Sequence, residues 1–333
     1  MTARLFRRAT KGCLGWAAIA LGLALLLNPG TASAQSDWPK QPVRMIVGLA
    51  PGGANDIMAR IVAQKLTERL GQPVIVENKA GAGGTIAAEF VARATPDGYT
   101  LLVAPSGSMV INPSVYSKLP YDPLTSYELI ANMVIYHLVL SVSATQPIRS
   151  VGELVAWAKA NPDKANYAST SAVFQLTTEL FNQKTGTKFQ HIPFKSGAEL
   201  VTAVLTGQTV MTFADAASAM PQFKAGGLRP LASTGAARLP ELPDVPTLTE
   251  AGIDGVVVEG FIGLAAPKGT PAAIVKRLET EVMAIVRLSD VQARIKDLGL
   301  IADPSSGAAL RERIARDIPK FTAVAKAAGI KFD

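Results

Sequence analysis

The chain has 333 residues, 33 Lys and Arg against 26 Asp and Glu, two histidines and one cysteine, for a formal charge of +7. One cysteine excludes a disulfide framework, and the length is enough for two domains with cores of their own. Four of the basic residues and none of the acidic ones fall within residues 1–34; the remaining 299 therefore carry a net +3 with both signs interspersed, which excludes the dense basic stripe of a nucleic-acid binder.

Residues 1–34 have the layout of a cleaved signal peptide. Arg4, Arg7, Arg8 and Lys11 make a basic start, Leu14 to Leu27 is an apolar run, and Ala32-Ser33-Ala34 supplies the small residues a signal peptidase needs. The run of about 14 residues is short of the roughly 20 that span a bilayer, so cleavage after Ala34 is expected rather than a retained anchor. Cys13 leaves with the segment, and the mature chain then has no thiol to act as nucleophile or ligand.

Val43 to Leu49 reads as a mostly apolar strand, Ala50-Pro51-Gly52-Gly53-Ala54-Asn55-Asp56 as a tight turn, and Ile57 to Leu70 as an amphipathic helix with Met58, Ile61, Val62, Leu66 and Leu70 at helical spacing. Two glycines permit close approach of the backbone, and the N–H groups that open a helix form a site for an anion. The turn also has a plain reading as a chain reversal, since it lacks the glycine order of dinucleotide and P-loop sites. Gly71 and Pro73 end the helix, Val74 to Val76 is a strand, and Gly81-Ala82-Gly83-Gly84 is a second glycine-rich turn before a helix through Ile86, Ala87, Phe90, Val91 and Ala94. Tyr99 to Val103 is the third strand. Strands alternating with helices indicate a parallel sheet, whose ligand loops lie at the carboxyl ends of the strands. Residues 50–56 and Ala104-Pro105-Ser106-Gly107-Ser108 qualify, the latter through Ser106 and Ser108; Asn112 to Pro123 reads as an irregular connection.

Leu129 to Ser143 is apolar, and Ser150 caps a helix that ends before Pro162. Asn166 to Ala172 is a short strand entering the hydroxyl-rich loop Ser169-Thr170-Ser171, followed by a helix through Leu176, Leu180 and Phe181. Phe189 to Phe194 leads into a helix with Leu200, Val201 and Val204, then a strand from Val210 that ends at Asp215, and another from Leu228 to Ser233. Asp215 either caps the next helix or faces a cleft, where its charge would attract an amino group and repel an acid. Val256 to Ala265 is a strand, Pro271 opens a helix with Ile274, Leu278, Val282, Ile285 and Val286, and two helical stretches close the chain, the last interrupted near Pro319.

Taken together, Trp38-Pro39, Pro51-Gly52-Gly53 with Asp56 and Arg60, Gly71-Gln72-Pro73, Glu77-Asn78 with Gly81 to Gly84, Asp97 to Leu102, Asn112-Pro113, Leu119 to Asp122, Pro193-Phe194-Lys195, Gly207-Gln208, Asp215 and Phe261 to Pro271 resemble the Bug family, the solute receptors of tripartite tricarboxylate transporters. The resemblance covers the chain from Trp38 onward. It implies an α/β fold of the type II periplasmic binding class, with residues 35–137 plus 258–333 forming one domain, 138–257 the other, and two crossover strands between them. It also implies a periplasmic monomer that closes on a small carboxylated solute and hands it to membrane permease subunits, with no cofactor and no metal. Carried over to this chain, Gly52 and Gly53 face Ser169, Thr170 and Ser171 across the cleft, and Asn55 of the same turn is a further candidate ligand contact. The family pattern Tyr-x-Ser-Ser-Gly-x-Gly is altered here to Tyr167-Ala168-Ser169-Thr170-Ser171-Ala172-Val173, which lacks both glycines and leaves hydroxyls to replace backbone donors.

Two other functions are open to such a chain. An exported hydrolase needs a histidine within reach of a serine, and only His137 and His191 are available, neither in a GxSxG context. A sensor docking on a membrane histidine kinase would use the same fold with a different output. Two lone histidines without cysteine offer no metal ligand set.

Overall fold

The computed structural model describes residues 38–194 and 196–332. The leader and its cleavage point lie outside the described residues. Among those described, no helix is long and apolar enough to cross a membrane.

The first strand, β1 (Val43–Val47), is almost wholly buried and leads through the Pro51-Gly52-Gly53 turn into α1 (Ala54–Leu70). The helix begins three residues earlier than its apolar spacing predicts, because Gly53 is its N-cap and its carbonyl accepts the Ile57 N–H at 3.0 Å. Its face of Met58, Ile61, Val62, Leu66 and Leu70 is buried, and Gly71, left-handed at φ 70°, terminates it by donating to the Thr67 carbonyl. β2 (Val74–Asn78), α2 (Thr85–Ala92) and β3 (Thr100–Pro105) complete a parallel order β2-β1-β3.

Where an irregular connection was expected after β3, the chain coils into a π-helical turn (Gly107–Ile111) and then α3 (Asn112–Val115). Pro113 sits in the first turn, where its missing N–H has no intrahelical partner to lose. The 17-residue β4 (Tyr127–Ser143) follows, then α4 (Val151–Ala160), β5 (Asn166–Ser169), α5 (Ala172–Thr185), β6 (Gln190–Pro193), α6 (Gly197–Leu205), β7 (Met211–Asp215), α7 (Ala216–Lys224) and β8 (Leu228–Ser233). β9 (Glu259–Pro267), α8 (Ala272–Val286), α9 (Ser289–Asp297), β10 (Ile301–Ala302) and α10 (Gly307–Ala328) close the chain.

β9 starts later than its apolar run does. Val258 is tied instead to Thr234, whose carbonyl accepts the Val258 N–H and whose hydroxyl donates to the Val258 carbonyl. α10 continues through Pro319, since Ile314, Phe321, Val324 and Ala325 bury its inner face on both sides of the proline.

β4 joins the two parts of the sheet. From Tyr127 to His137 it pairs antiparallel with β9, which lies between it and β3; from Leu138 to Val142 its partners are β7 and β8. Beyond β7 the order is β5 and then β6, again parallel. The partner change at 137 and 138 places the carboxyl ends of β1 and β3 on one side of a cleft and those of β5 and β7 on the other.

Candidate functional site

A cavity of about 550 Å³ opens at these strand ends. Its walls come from the first turn of α1 (Ala54, Asn55), the second glycine turn (Gly83), the segment after β3 (Ser108, Asn112), and Tyr136 of β4. From the other part of the sheet come Thr170, Ser171 and the first turn of α5, together with Asp215. A wider, shallower groove of about 770 Å³ around Arg44, Glu89 and Phe90 is lined by residues within 41–44, 86–95 and 97–100, away from the carboxyl ends of the strands and with nothing from the second part of the sheet.

Two helix N-termini therefore meet at one cavity. α1 brings Ala54 and Asn55, and α5 brings Ala172 and Val173, each from a helix of more than three turns. Opening N–H groups and the positive end of the helix dipole favour an anion at both. The missing glycines of the loop at 169–173 are replaced by an early helix start: α5 begins at Ala172, and Ser171 holds the extended N-cap conformation with no side-chain bond to its own helix. The Asn55 Oδ1 atom is buried with no hydrogen-bond partner among the described residues.

Of the sequence-predicted site residues, Asn55, Ser108, Thr170, Ser171 and Asp215 line this cavity; Gly52, Gly53, Ser106 and Ser169 do not. Gly52 has a partner inside the protein. Its N–H donates to Asp56 at 3.0 Å, and the same buried carboxylate receives Arg60 through two 3.0 Å bonds and the Asn78 amide at 3.0 Å. Arg60 first, then the Gly52 N–H and Asn78, hold the Asp56 carboxyl at about 2 against the upward push of burial. Gly52 keeps the turn (φ 86°) while its donor is spent on the protein's own acid.

Ser106 is buried and bonded to the Tyr136 hydroxyl at 3.2 Å. It holds Tyr136 at the cavity rather than facing the cavity itself. The Tyr136 ring lies over its cross-strand partner Gly260, where an added Cβ would come within 2.0 Å of Cζ. Burial raises the Tyr136 pKa, so its hydroxyl stays protonated. Asp215 does cap α7, accepting the Ser218 N–H and hydroxyl at 2.8 Å each, and it lines the cavity as well.

Ser169 meets His191 at 2.7 Å, the one criterion for a serine hydrolase that the sequence could not test. The serine is 2% exposed and off the cavity wall, and the histidine packs on Tyr167 with ring centroids 5.2 Å apart. Burial pushes the His191 pKa down. The pair fixes the end of β5 beneath the loop. Among the described residues no three His, Cys, Asp or Glu side chains gather closely enough to hold a metal ion.

The sequence reading passed over Gly83, Asn112, Tyr136 and the apolar wall. Only Gly83 had a local signal, in the run Gly81 to Gly84, where all four residues have positive φ, Ala82 included at 46°. Asn112 holds that turn by donating to the Gly83 carbonyl and the Thr85 hydroxyl, each at 3.1 Å.

A family model described as the tripartite tricarboxylate transporter family receptor matches residues 58–329. A UPF0065 protein in the gbd 5′ region of Cupriavidus necator is 41% identical over 265 residues, 79% of each chain. Among solved structures, the R. palustris protein Rpa4515 with adipate is 32% identical with a TM-score of 0.78, covering 88% of this chain and 99% of its own. MatC (Rpa3494) from Rhodopseudomonas palustris, with bound malate, is 30% identical with a TM-score of 0.74, covering 86% of this chain and 99% of its own. The architecture is thus that of the α/β periplasmic binding proteins.

Proposed function

The chain belongs to the tripartite tricarboxylate transporter receptor family, and from that membership we propose that it is exported to the periplasm with cleavage after Ala34, captures a small carboxylated solute in the cavity described above, and delivers it to membrane permease subunits. The observation that carries this reading is the meeting of the α1 and α5 N-termini at one cavity. Opposed dipole ends receive a carboxylate without requiring a cationic side chain. The adipate and malate held by the two R. palustris proteins support the same ligand chemistry.

Residues 35–137 plus 258–333 act as one domain and 138–257 as the other, moving about β4 near His137 and Leu138. Each contributes one helix end, so a carboxylate makes both contacts only in the closed form; this differential contact drives closure. Asn55, Thr170 and Ser171 bond the solute directly, Ser108 forms part of the wall with its hydroxyl donating to the Pro105 carbonyl at 3.2 Å, and Gly52, Gly53, Ser106 and Ser169 shape the turns that present those donors. The protein works as a monomer without cofactor and without turnover of its ligand.

The test is native mass spectrometry of protein freshly recovered from the periplasm, followed by scattering with the released acid and its amide. A bound organic acid is expected, with the acid, but not the amide, reducing the radius of gyration. Equal compaction by acid and amide, or hydrolysis of a model ester lost in Ser169→Ala, would overturn the reading.

A further inference from the structure

The chemical class of the solute follows from the rest of the cavity wall, given that the cavity captures a carboxylate. Among the described residues five large apolar side chains are exposed, and two of them, Leu49 and Phe332, line this cavity. Phe332 is held there by a parallel bridge to Tyr116, with its N–H donating to the Val115 carbonyl at 2.8 Å and the two rings 5.8 Å apart. Phe174 from the first turn of α5, Ile262 and Leu300 extend the same apolar surface. A concave wall of exposed hydrocarbon is a place for an apolar body, since water against it is costly.

Charge points the same way. No lysine or arginine is among the described residues that line the cavity, and its one charged side chain is the acid Asp215. Each helix N-terminus carries roughly half a positive charge, so the pair matches about one carboxylate. Among the described residues a second or third carboxylate would meet no counter-charge and would share the cavity with Asp215.

We propose that the solute is a monocarboxylate with an apolar remainder, its acid group at the α1 and α5 N-termini and its hydrocarbon or aryl body against Tyr116, Phe332, Phe174 and Leu300. Phe332, next to last in the chain, is then a specificity residue for that body.

The test is calorimetric titration of the mature protein, freed of co-purified solute, with 3-phenylpropanoate, 3-phenylpropanamide, adipate and citrate. The expected order is 3-phenylpropanoate tightest, adipate weaker by about tenfold or more, citrate weaker still, and no measurable heat with the amide. Phe332→Ala should weaken 3-phenylpropanoate by about tenfold while leaving adipate nearly unchanged. Tighter binding of adipate or citrate, or an equal loss for both acids in the Phe332 variant, overturns this inference and leaves carboxylate capture standing. Binding of the amide as tightly as the acid, or of none of the three acids, overturns carboxylate capture as well.

Discussion

Gly52 and Gly53 are adjacent, yet only one of them needs to be glycine. Gly52 has φ 86°, where a side chain costs about 1 kcal/mol, whereas Gly53 has φ −81° and ψ 168°, and a Cβ there would come no closer than 3.9 Å to the Ala50 carbonyl oxygen. Gly52→Ala should therefore lower stability by about 1 kcal/mol, and Gly53→Ala should leave it unchanged in chemical unfolding. Gly53→Asp separates the two roles of the turn. Aspartate is a favoured N-cap, so the variant should be at least as stable as the parent. The same carboxylate competes for the α1 N–H groups and repels the solute acid, and affinity should fall by about tenfold or more in titration. Unchanged affinity in a folded Gly53→Asp variant would remove the α1 terminus from the anion site.

Elements with a clear period were legible from residues alone. α1 and α8 bury the side chains that their spacing selects, because each presents one apolar face to the protein, and β1 is buried nearly throughout, as its apolar run requires. The helical run from 107 to 115 was not legible, since Gly107, Ser108, Asn112 and Pro113 are individually turn residues and only the burial of Met109, Val110, Ile111 and Val115 makes them helical. The apolar cavity wall was hidden for another reason. Leu49, Tyr116, Leu300 and Phe332 are far apart in sequence and carry no local mark of sharing a surface. Likewise Gly52 read as a ligand donor because nothing in the sequence shows that Asp56 folds back onto it. The contact between β1 and the second glycine turn gives an element-scale prediction. A Cβ on Gly48 would lie 2.9 Å from the Gly84 Cα and 3.2 Å from the Ala87 Cβ, so neither partner yields by rotating a side chain. Gly48→Ala should cost about 1–3 kcal/mol, read as a lower Tm in calorimetry.

At the scale of the whole molecule, the partner change along β4 is accompanied by a charge cluster. His137 and Glu259 are cross-strand neighbours 3.5 Å apart, and Arg313 lies 3.8 Å from the same carboxylate and 3.2 Å from Asp303. The close His137 imidazole foremost, then the Ala236 N–H and Arg313, hold the Glu259 carboxyl at about 2 although burial opposes it. A depressed carboxyl contributes its full stability above its unfolded pKa, near 4, and loses it as pH falls toward the folded value. Glu259 and Asp56 should together give an acid limb in the unfolding midpoint between about pH 4 and 2, and Glu259→Gln should make that limb shallower while lowering stability near neutrality by roughly 1–3 kcal/mol. An unchanged limb in that variant would assign acid lability elsewhere. The strand order has a further consequence, for the order of events during synthesis. β9 lies between β3 and β4, both of which precede it by more than a hundred residues, so neither strand has its inner partner until Pro267 has emerged. A partly made chain therefore holds two open sheet edges and no finished first half, and the sheet closes only once β9 is available to both strands.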